Sequence, residues 1–356
     1  MAFIELDREK LHHNYQFLKR TFDKNNIEFG IVTKLLCGHN AYLKEVINLG
    51  VGQVCDSRIS NLKKIKNIDS EVETVYIKPP AKRSIKSIVA YADISLNTES
   101  YTIKLLSEEA QRQDKVHKII IMIEMGDLRE GVMREDFIDF YEKVFEMPNI
   151  EVVGIGTNLS CMSGVMPSPD KLIQLSLYEQ LIEARFSRNV PYVSGGTSVT
   201  LPMLLQGMLP PGINHYRLGE TLYLGNNLIN DKPIKGMKQN ALTLYAELIE
   251  LTEKPIVPEG DLGENVDGQK AEIDPKDVGK TAYRGLLDIG LLDIDPRHIE
   301  PFDADVEIAG ASSDMIVIDL GSDQPRYKVG DLIRLRMTYM GALGVMNSNY
   351  IEKRIV

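Results

Sequence analysis

Apolar residues recur along this chain in two rhythms. From Leu11 through Tyr15 and Leu18 to Phe22 they fall three or four apart, the period of a helix buried on one face, with Asp7 ahead of them as a cap. Before that helix, Phe3 to Leu6 reads as a short strand. After it come eight short, β-rich apolar runs at 29–33, 53–55, 74–77, 93–96, 118–124, 152–159, 191–194 and 216–224. Most are followed by an amphipathic helical pattern, such as 168–186. Strand and helix in alternation predict parallel βαβ units, and eight of them in this length predict a (β/α)8 barrel over a doubly wound sheet. Past residue 235 the rhythm changes. Strand patterns at 242–252, 283–289, 306–309, 315–320, 332–338 and 350–355 follow one another with no long helix between them. The expected organisation is therefore a barrel over 1–235 and a mainly β domain over 236–356, with residues 1–6 able to pair with the latter. The stretch 258–279, rich in Gly, Asp and Glu, reads as an exposed loop.

Composition narrows the class. The 356 residues are 43% hydrophobic and 26% charged, ordinary for a globular protein and unlike a disordered chain. No apolar run is long enough to span a membrane and no cationic leader opens the chain, so a cytoplasmic protein is expected. Cys37, Cys55 and Cys161 form no CxxC pair, which offers neither a disulfide framework nor a zinc site; no metal is expected. A formal charge of -10 argues against nucleic acid as a partner. It leaves a small cationic or zwitterionic ligand open.

In a barrel of this kind the chemistry gathers at the carboxyl ends of the strands. The first barrel run, Phe29 to Thr33, leads into Lys34. A lysine there would be partly desolvated, which lowers its pKa and suits it to condense with an aldehyde; the plainer reading is a solvated lysine at a strand end. The seventh run ends in Ser194-Gly195-Gly196-Thr197-Ser198, and the eighth opens with Tyr216-Arg217-Leu218-Gly219-Glu220. Backbone amides of these two loops can cradle a phosphate, although small residues also make ordinary tight turns. No Walker or Rossmann glycine pattern is present. An amine and an anion cradle on one barrel point to a phosphate-bearing aldehyde cofactor, pyridoxal phosphate.

With those segments in place, the chain resembles the fold-type III pyridoxal-phosphate enzymes of the alanine racemase type, in their ornithine racemase branch. The resemblance runs through Ile4-Glu5-Leu6-Asp7, Val32-Thr33-Lys34 with Gly38-His39, the loop Gly126 to Gly131, Tyr216-Arg217-Leu218-Gly219 with Leu222-Tyr223-Leu224-Gly225, and Ala309 to Met315 with Val317 to Gly321. It implies that Lys34 holds the cofactor and that Arg129 faces the substrate carboxylate. It further implies that Arg217 meets the pyridine nitrogen and Gly219 the phosphate. Asn158, Ser194, Gly196, Thr197, Ser198, Glu220 and Tyr350 complete the expected cofactor contacts, and Ser313 and Asp314 the substrate contacts. The implied assembly is a head-to-tail homodimer whose β domains close each other's sites.

Three positions depart from the family pattern. The segment Lys34 to Asn40 lacks the tyrosine that bonds the phosphate. Asn158 stands where a histidine is usual, and Leu291 replaces the tyrosine that serves as second acid/base. Asp314 is the first candidate for that missing base, with Tyr283 and Tyr339 behind it. The expected activity is interconversion of L and D amino acids, ornithine or another diamino acid first. The alternatives are an alanine, serine or broad-specificity racemase, or a non-catalytic pyridoxal-phosphate protein.

Overall fold

The structure, a computed structural model, describes residues 2–264, 268, 270 and 273–356. They form two compact units. One is Glu9–Gln239; the other joins the segment up to Arg8 with the chain from Asn240 onward.

The chain opens with β1 (Phe3–Leu6), which belongs to the second unit, and α1 (Arg8–Lys24). The first unit continues with β2 (Glu28–Val32), α2 (Asn40–Asn48), β3 (Gln53–Asp56), α3 (Ile59–Ile68), β4 (Glu73–Tyr76) and α4 (Ile85–Tyr91). Next come β5 (Ile94–Asn97), α5 (Ser100–Arg112), β6 (His117–Met122), α6 (Phe137–Phe145), β7 (Ile150–Gly156) and α7 (Pro169–Phe186). It ends with β8 (Tyr192–Ser194), β9 (Gly196–Thr197), α8 (Leu201–Leu205), β10 (His215–Leu218) and α9 (Glu220–Leu224). The strands pair in parallel in the order β8-β7-β6-β5-β4-β3-β2-β10-β9. The seam beside β8 is stitched to the start of β10: Val193 N donates to Asn214 Oδ1 at 2.8 Å, and Ser194 Oγ meets His215 Nδ1 at 2.7 Å. The sheet is a nearly closed barrel with its helices outside, the expected (β/α)8 architecture.

The interior explains the apolar runs. Val32, Cys55, Val75, Ile94, Leu96, Ile120, Met122 and Val153, from six consecutive strands, pack into one buried cluster. Each fully buried aliphatic side chain contributes roughly 1.5–3 kcal/mol, and strands covered on both faces read as continuous apolar stretches. Outside, α1 buries Leu11, Tyr15, Leu18 and Phe22, as its spacing predicts. The Phe22 ring sits 4.8 Å from Phe29 and 4.9 Å from Tyr216.

Two local readings change. The 216–224 run is a strand only to Leu218; Glu220–Leu224 is a helix, because a short helix buried on every side has no polar face to betray its period. A ninth, two-residue strand, Gly196–Thr197, lies along β10, and a side chain at Gly196 would overlap the Tyr216 ring.

The second unit is antiparallel apart from one pairing. Its strands are β11 (Leu242–Pro255), β12 (Thr281–Leu287), β13 (Ile299–Pro301), β14 (Glu307–Ala311), β15 (Ile316–Asp319) and β16 (Leu332–Met337), then α10 (Tyr339–Asn347) and β17 (Glu352–Ile355). They order as β13-β16-β11-β12-β15-β14, with β1 antiparallel to β11 and parallel to β17. Neither β13 nor the nine-residue α10 has a clear sequence signal; the latter, rich in Gly and Met, carries no polar stripe. Of the 258–279 loop, residues 265–267, 269, 271 and 272 lie outside the described residues. Glu264 bridges to Lys270 and Pro275–Asp277 makes a single turn. Among the described residues no helix is long and apolar enough to cross a membrane.

Candidate active site

The barrel mouth is assembled from the segments that leave the carboxyl ends of its strands. Lys34 opens a one-turn 3-10 helix, Lys34–Leu36, between fully buried Thr33 and the buried pair Leu35 and Leu36. Its own side chain is exposed, which agrees with the plainer sequence reading of a solvated lysine at a strand end. The turn is fixed from behind. Thr33 Oγ1 donates to Asp56 Oδ2 at 2.9 Å, while Asp56 also accepts from Arg58 N at 2.8 Å and from Asn61 Nδ2 at 3.2 Å. Burial raises the Asp56 carboxyl above its usual range, and these hydrogen bonds oppose the rise. Cys37 and Gly38 then turn through positive φ of 47° and 72°, and any Cβ on Gly38 would collide with the Asn61 amide.

Arg217 is the most constrained cation of the barrel, at 4% exposure. Its NH1 donates to Ser194 O at 3.1 Å and to Ser194 Oγ; its NH2 donates to Thr157 O and Asn158 Oδ1, both at 2.8 Å. Every acceptor is neutral. Burial without a touching carboxylate pulls the guanidinium down to about 10. Four of its five N–H groups are thereby taken, and Nε–H has no acceptor among the described residues.

From Asn158 the network runs on to the rim. The Asn158 amide donates to Glu130 Oε1, and Glu130 grips Arg129 through both Nε and NH2. Arg129 NH1 also meets Cys161 Sγ. Arg129 therefore reaches the mouth already paired, and Glu130 raises its pKa. Glu130 was not singled out from the sequence, where an Arg-Glu neighbour pair carries no signal of its own.

The expected anion cradle is assembled in part. Ser198 Oγ accepts from Gly219 N at 3.2 Å and Thr221 N at 3.5 Å, which places a hydroxyl against the amides that open α9. Thr197 N is occupied by Thr200 Oγ1 at 2.6 Å. Ser194 is the exception: its hydroxyl is turned to His215 and Arg217 inside the barrel and away from a cradle role. Gly219 lies close to Val32, 3.2 Å from its Cβ for any added side chain, so glycine lets this loop approach the strand that leads into Lys34.

Glu220 follows, partly buried, its carboxyl raised to about 7, mainly by burial and then by Asp231, with Lys34 opposing. The unfolded chain ionises near the ordinary glutamate value while the folded chain holds the proton, so stability is present at low pH and falls as pH rises through this window. Glu220→Gln mimics the protonated acid. It should leave stability unchanged at pH 4 and raise it at pH 8.5, by no more than about 2 kcal/mol after discounting for solvent. Thermal melts at the two pH values check this.

The remaining predicted site residues lie in the second unit. Ser313 and Asp314 are exposed, with Ser313 Oγ donating to Asp314 Oδ2 at 2.8 Å, and Tyr350 is 83% exposed. Leu291 N and Leu292 N donate to Ser312 O and Ser313 O, each at 3.0 Å. The turn that carries leucine in place of the expected tyrosine is thus bonded to the turn that carries Asp314. Among the described residues no cluster of three or more His, Cys, Asp or Glu could hold a metal.

A barrel whose mouth gathers a lysine, a buried arginine with one uncommitted N–H and a serine hydroxyl seated on backbone amides has groups that fit an aldehyde-phosphate. The chain belongs to the alanine racemase family: the model "Alanine racemase, N-terminal domain" matches residues 6–227. An ornithine racemase of Acetoanaerobium sticklandii is 36% identical over 354 residues, 99% of each chain. A lysine racemase of Thermotoga maritima is 33% identical over 348 residues, 98% of this chain and 96% of the other. In fold, the chain is similar to the alanine racemase of Bartonella henselae with covalently bound pyridoxal phosphate, with a TM-score of 0.76 at 15% identity, covering 100% of this chain and 99% of that one.

Proposed function

We propose that this chain is a pyridoxal-phosphate-dependent racemase of a diamino acid, ornithine or lysine. The observation that carries the reading is Arg217, a buried cation with four donors spent on neutral acceptors and Nε–H left over. That is the donor a pyridine nitrogen accepts from when it carries no proton, and a permanent cation beside the ring disfavours protonation there. Lys34 supplies the amine for the aldehyde. The Ser198 hydroxyl, which accepts from the Gly219 amide, keeps its own hydrogen to donate to the phosphate, and Asn158 holds Arg217 in place. Bound to these groups, pyridoxal phosphate acidifies the Cα–H of an attached amino acid. Lys34 Nζ then moves a proton on one face of that carbon. Arg129 receives the substrate carboxylate.

The opposite face needs a second acid/base, and Leu291 cannot serve. The Asp314 turn, tied to the Leu291 turn, supplies the carboxylate in this reading, from the partner subunit of a head-to-tail dimer; two-fold dimers are the commonest assembly. The diamino-acid class is supported by the two relatives that span the chain and agrees with its acidic balance.

Purified protein incubated with pyridoxal phosphate and single enantiomers of ornithine, lysine, alanine and serine, followed by chiral chromatography, tests it. Conversion of ornithine or lysine at a kcat/KM at least about tenfold above alanine is expected, the size of discrimination that pairing one distal charge provides. Conversion of alanine alone would overturn the substrate class. Retention of the cofactor with no conversion of any enantiomer would leave a non-catalytic binding protein.

A further inference from the structure

A thread of polar side chains runs through the barrel from the amino ends of its strands to Arg217, and its hydrogen positions can be assigned from chemistry alone. At its outer end Gln53 Nε2 donates to Glu73 Oε2 at 2.8 Å. A carboxylate accepts only, so the Gln53 amide is oriented with its oxygen inward. That oxygen faces His215 Nε2 at 2.9 Å, so Nε2 must carry the hydrogen. His215 is fully buried beside Arg217; burial first and the arginine second hold its pKa down to about 3, so the ring is neutral. A neutral ring protonated on Nε2 has a bare Nδ1. The Ser194 hydroxyl, 2.7 Å away, therefore donates to Nδ1, which leaves its lone pairs to accept from Arg217 NH1. The other tautomer would set the bare Nε2 lone pair against Gln53 Oε1, or, with the amide flipped, Gln53 Oε1 against the Glu73 carboxylate.

We propose that His215, as its Nε2–H tautomer, is a positioning residue: it orients the Ser194 hydroxyl to accept from Arg217 and so fixes the guanidinium with Nε–H as the donor left for a ligand. Nothing in the local sequence joins these residues. Gln53, Ser194 and His215 meet because the barrel closes at the seam between β8 and β10. Cys55, whose thiol is pushed up to about 12 by burial, lies on the same thread and donates to Gln53 Oε1 at 3.8 Å. The thread thus brings no anion into contact with Arg217. The consequence for a ligand rests on the reading of Arg217 given above.

The test separates the two. In protein labelled with 15N-histidine and loaded with pyridoxal phosphate, the His215 ring nitrogens should report the neutral Nε2–H tautomer, unchanged from pH 8 down to pH 5. Gln53→Met, which removes the acceptor of Nε2–H, should release the ring to a mixture of tautomers. An Nδ1–H tautomer, or an imidazolium in this range, would overturn the proposal whatever the cofactor does. Loss of one hydrogen bond to a charged group corresponds to roughly tenfold. His215→Gln and Ser194→Ala should each weaken retention of pyridoxal phosphate about tenfold. The double variant should do no worse than the weaker single one, because both break the same link. Additive losses of about a hundredfold, or unaltered retention in Ser194→Ala, would also overturn it. Should His215→Gln fail to fold, Ser194→Ala and the nitrogen spectra of Gln53→Met still decide.

Discussion

Lys34→Ala should give a folded, colourless protein that racemises nothing. The turn that carries Lys34 is held by its neighbours: Thr33, Leu35 and Leu36 are buried, and Thr33 is bonded to Asp56. The Lys34 side chain is exposed, so its removal should change stability by less than about 0.5 kcal/mol, the usual range for a surface position. Its chemistry has no substitute, since a methyl group neither condenses with an aldehyde nor carries a proton. The visible absorption of covalently held pyridoxal phosphate should vanish while the circular dichroism and Tm stay in place, and kcat should fall by at least about a thousandfold. A yellow and active Lys34→Ala protein would end the racemase reading.

How much of this was legible in the sequence depended on the length scale of the signal. The barrel was legible because most of its strands write a short apolar run and its outer helices a period, α1 through Leu11, Tyr15, Leu18 and Phe22 most plainly. Lys34, Arg217 and the glycines near them were legible because they sit at strand ends within recognisable segments. The environment of Lys34 was left open between a desolvated and a solvated side chain, because exposure at a barrel mouth is set by the loops around it. Pairings across the fold left no trace either. Asn158 meets Glu130 28 residues away, and Ser194 meets His215 21 residues away only once the seam between β8 and β10 is drawn together. α9 was misread for a related reason: Thr221, Leu222, Tyr223 and Leu224 are all buried, and complete burial removes the polar face from which a helix is recognised.

Asp314→Asn should separate proton exchange from inversion. The variant keeps the shape of the turn, including an oxygen to accept from Ser313, but has no carboxylate to take or return a proton. Lys34 would still exchange the Cα hydrogen of one enantiomer with solvent deuterium at a rate within about tenfold of the unaltered protein. Conversion to the other enantiomer would fall about a hundredfold or more, in the range a positioned acid/base contributes. If racemisation in both directions were unaffected, the role would pass to Tyr283, Tyr339 or water. The same substitution reveals which chain supplies the group. When Lys34→Ala and Asp314→Asn proteins are unfolded together, refolded and mixed at random, half of the dimers carry one of each. If Asp314 serves the partner's barrel, the two lesions in such a dimer fall on the same site and the other site is intact, so about a quarter of the full activity should return from two inactive parents. If Asp314 serves its own barrel, each site in the mixed dimer carries one lesion and nothing returns. Recovery near a quarter would place the carboxylate across the interface, and its absence would put the second proton donor within the chain that holds Lys34.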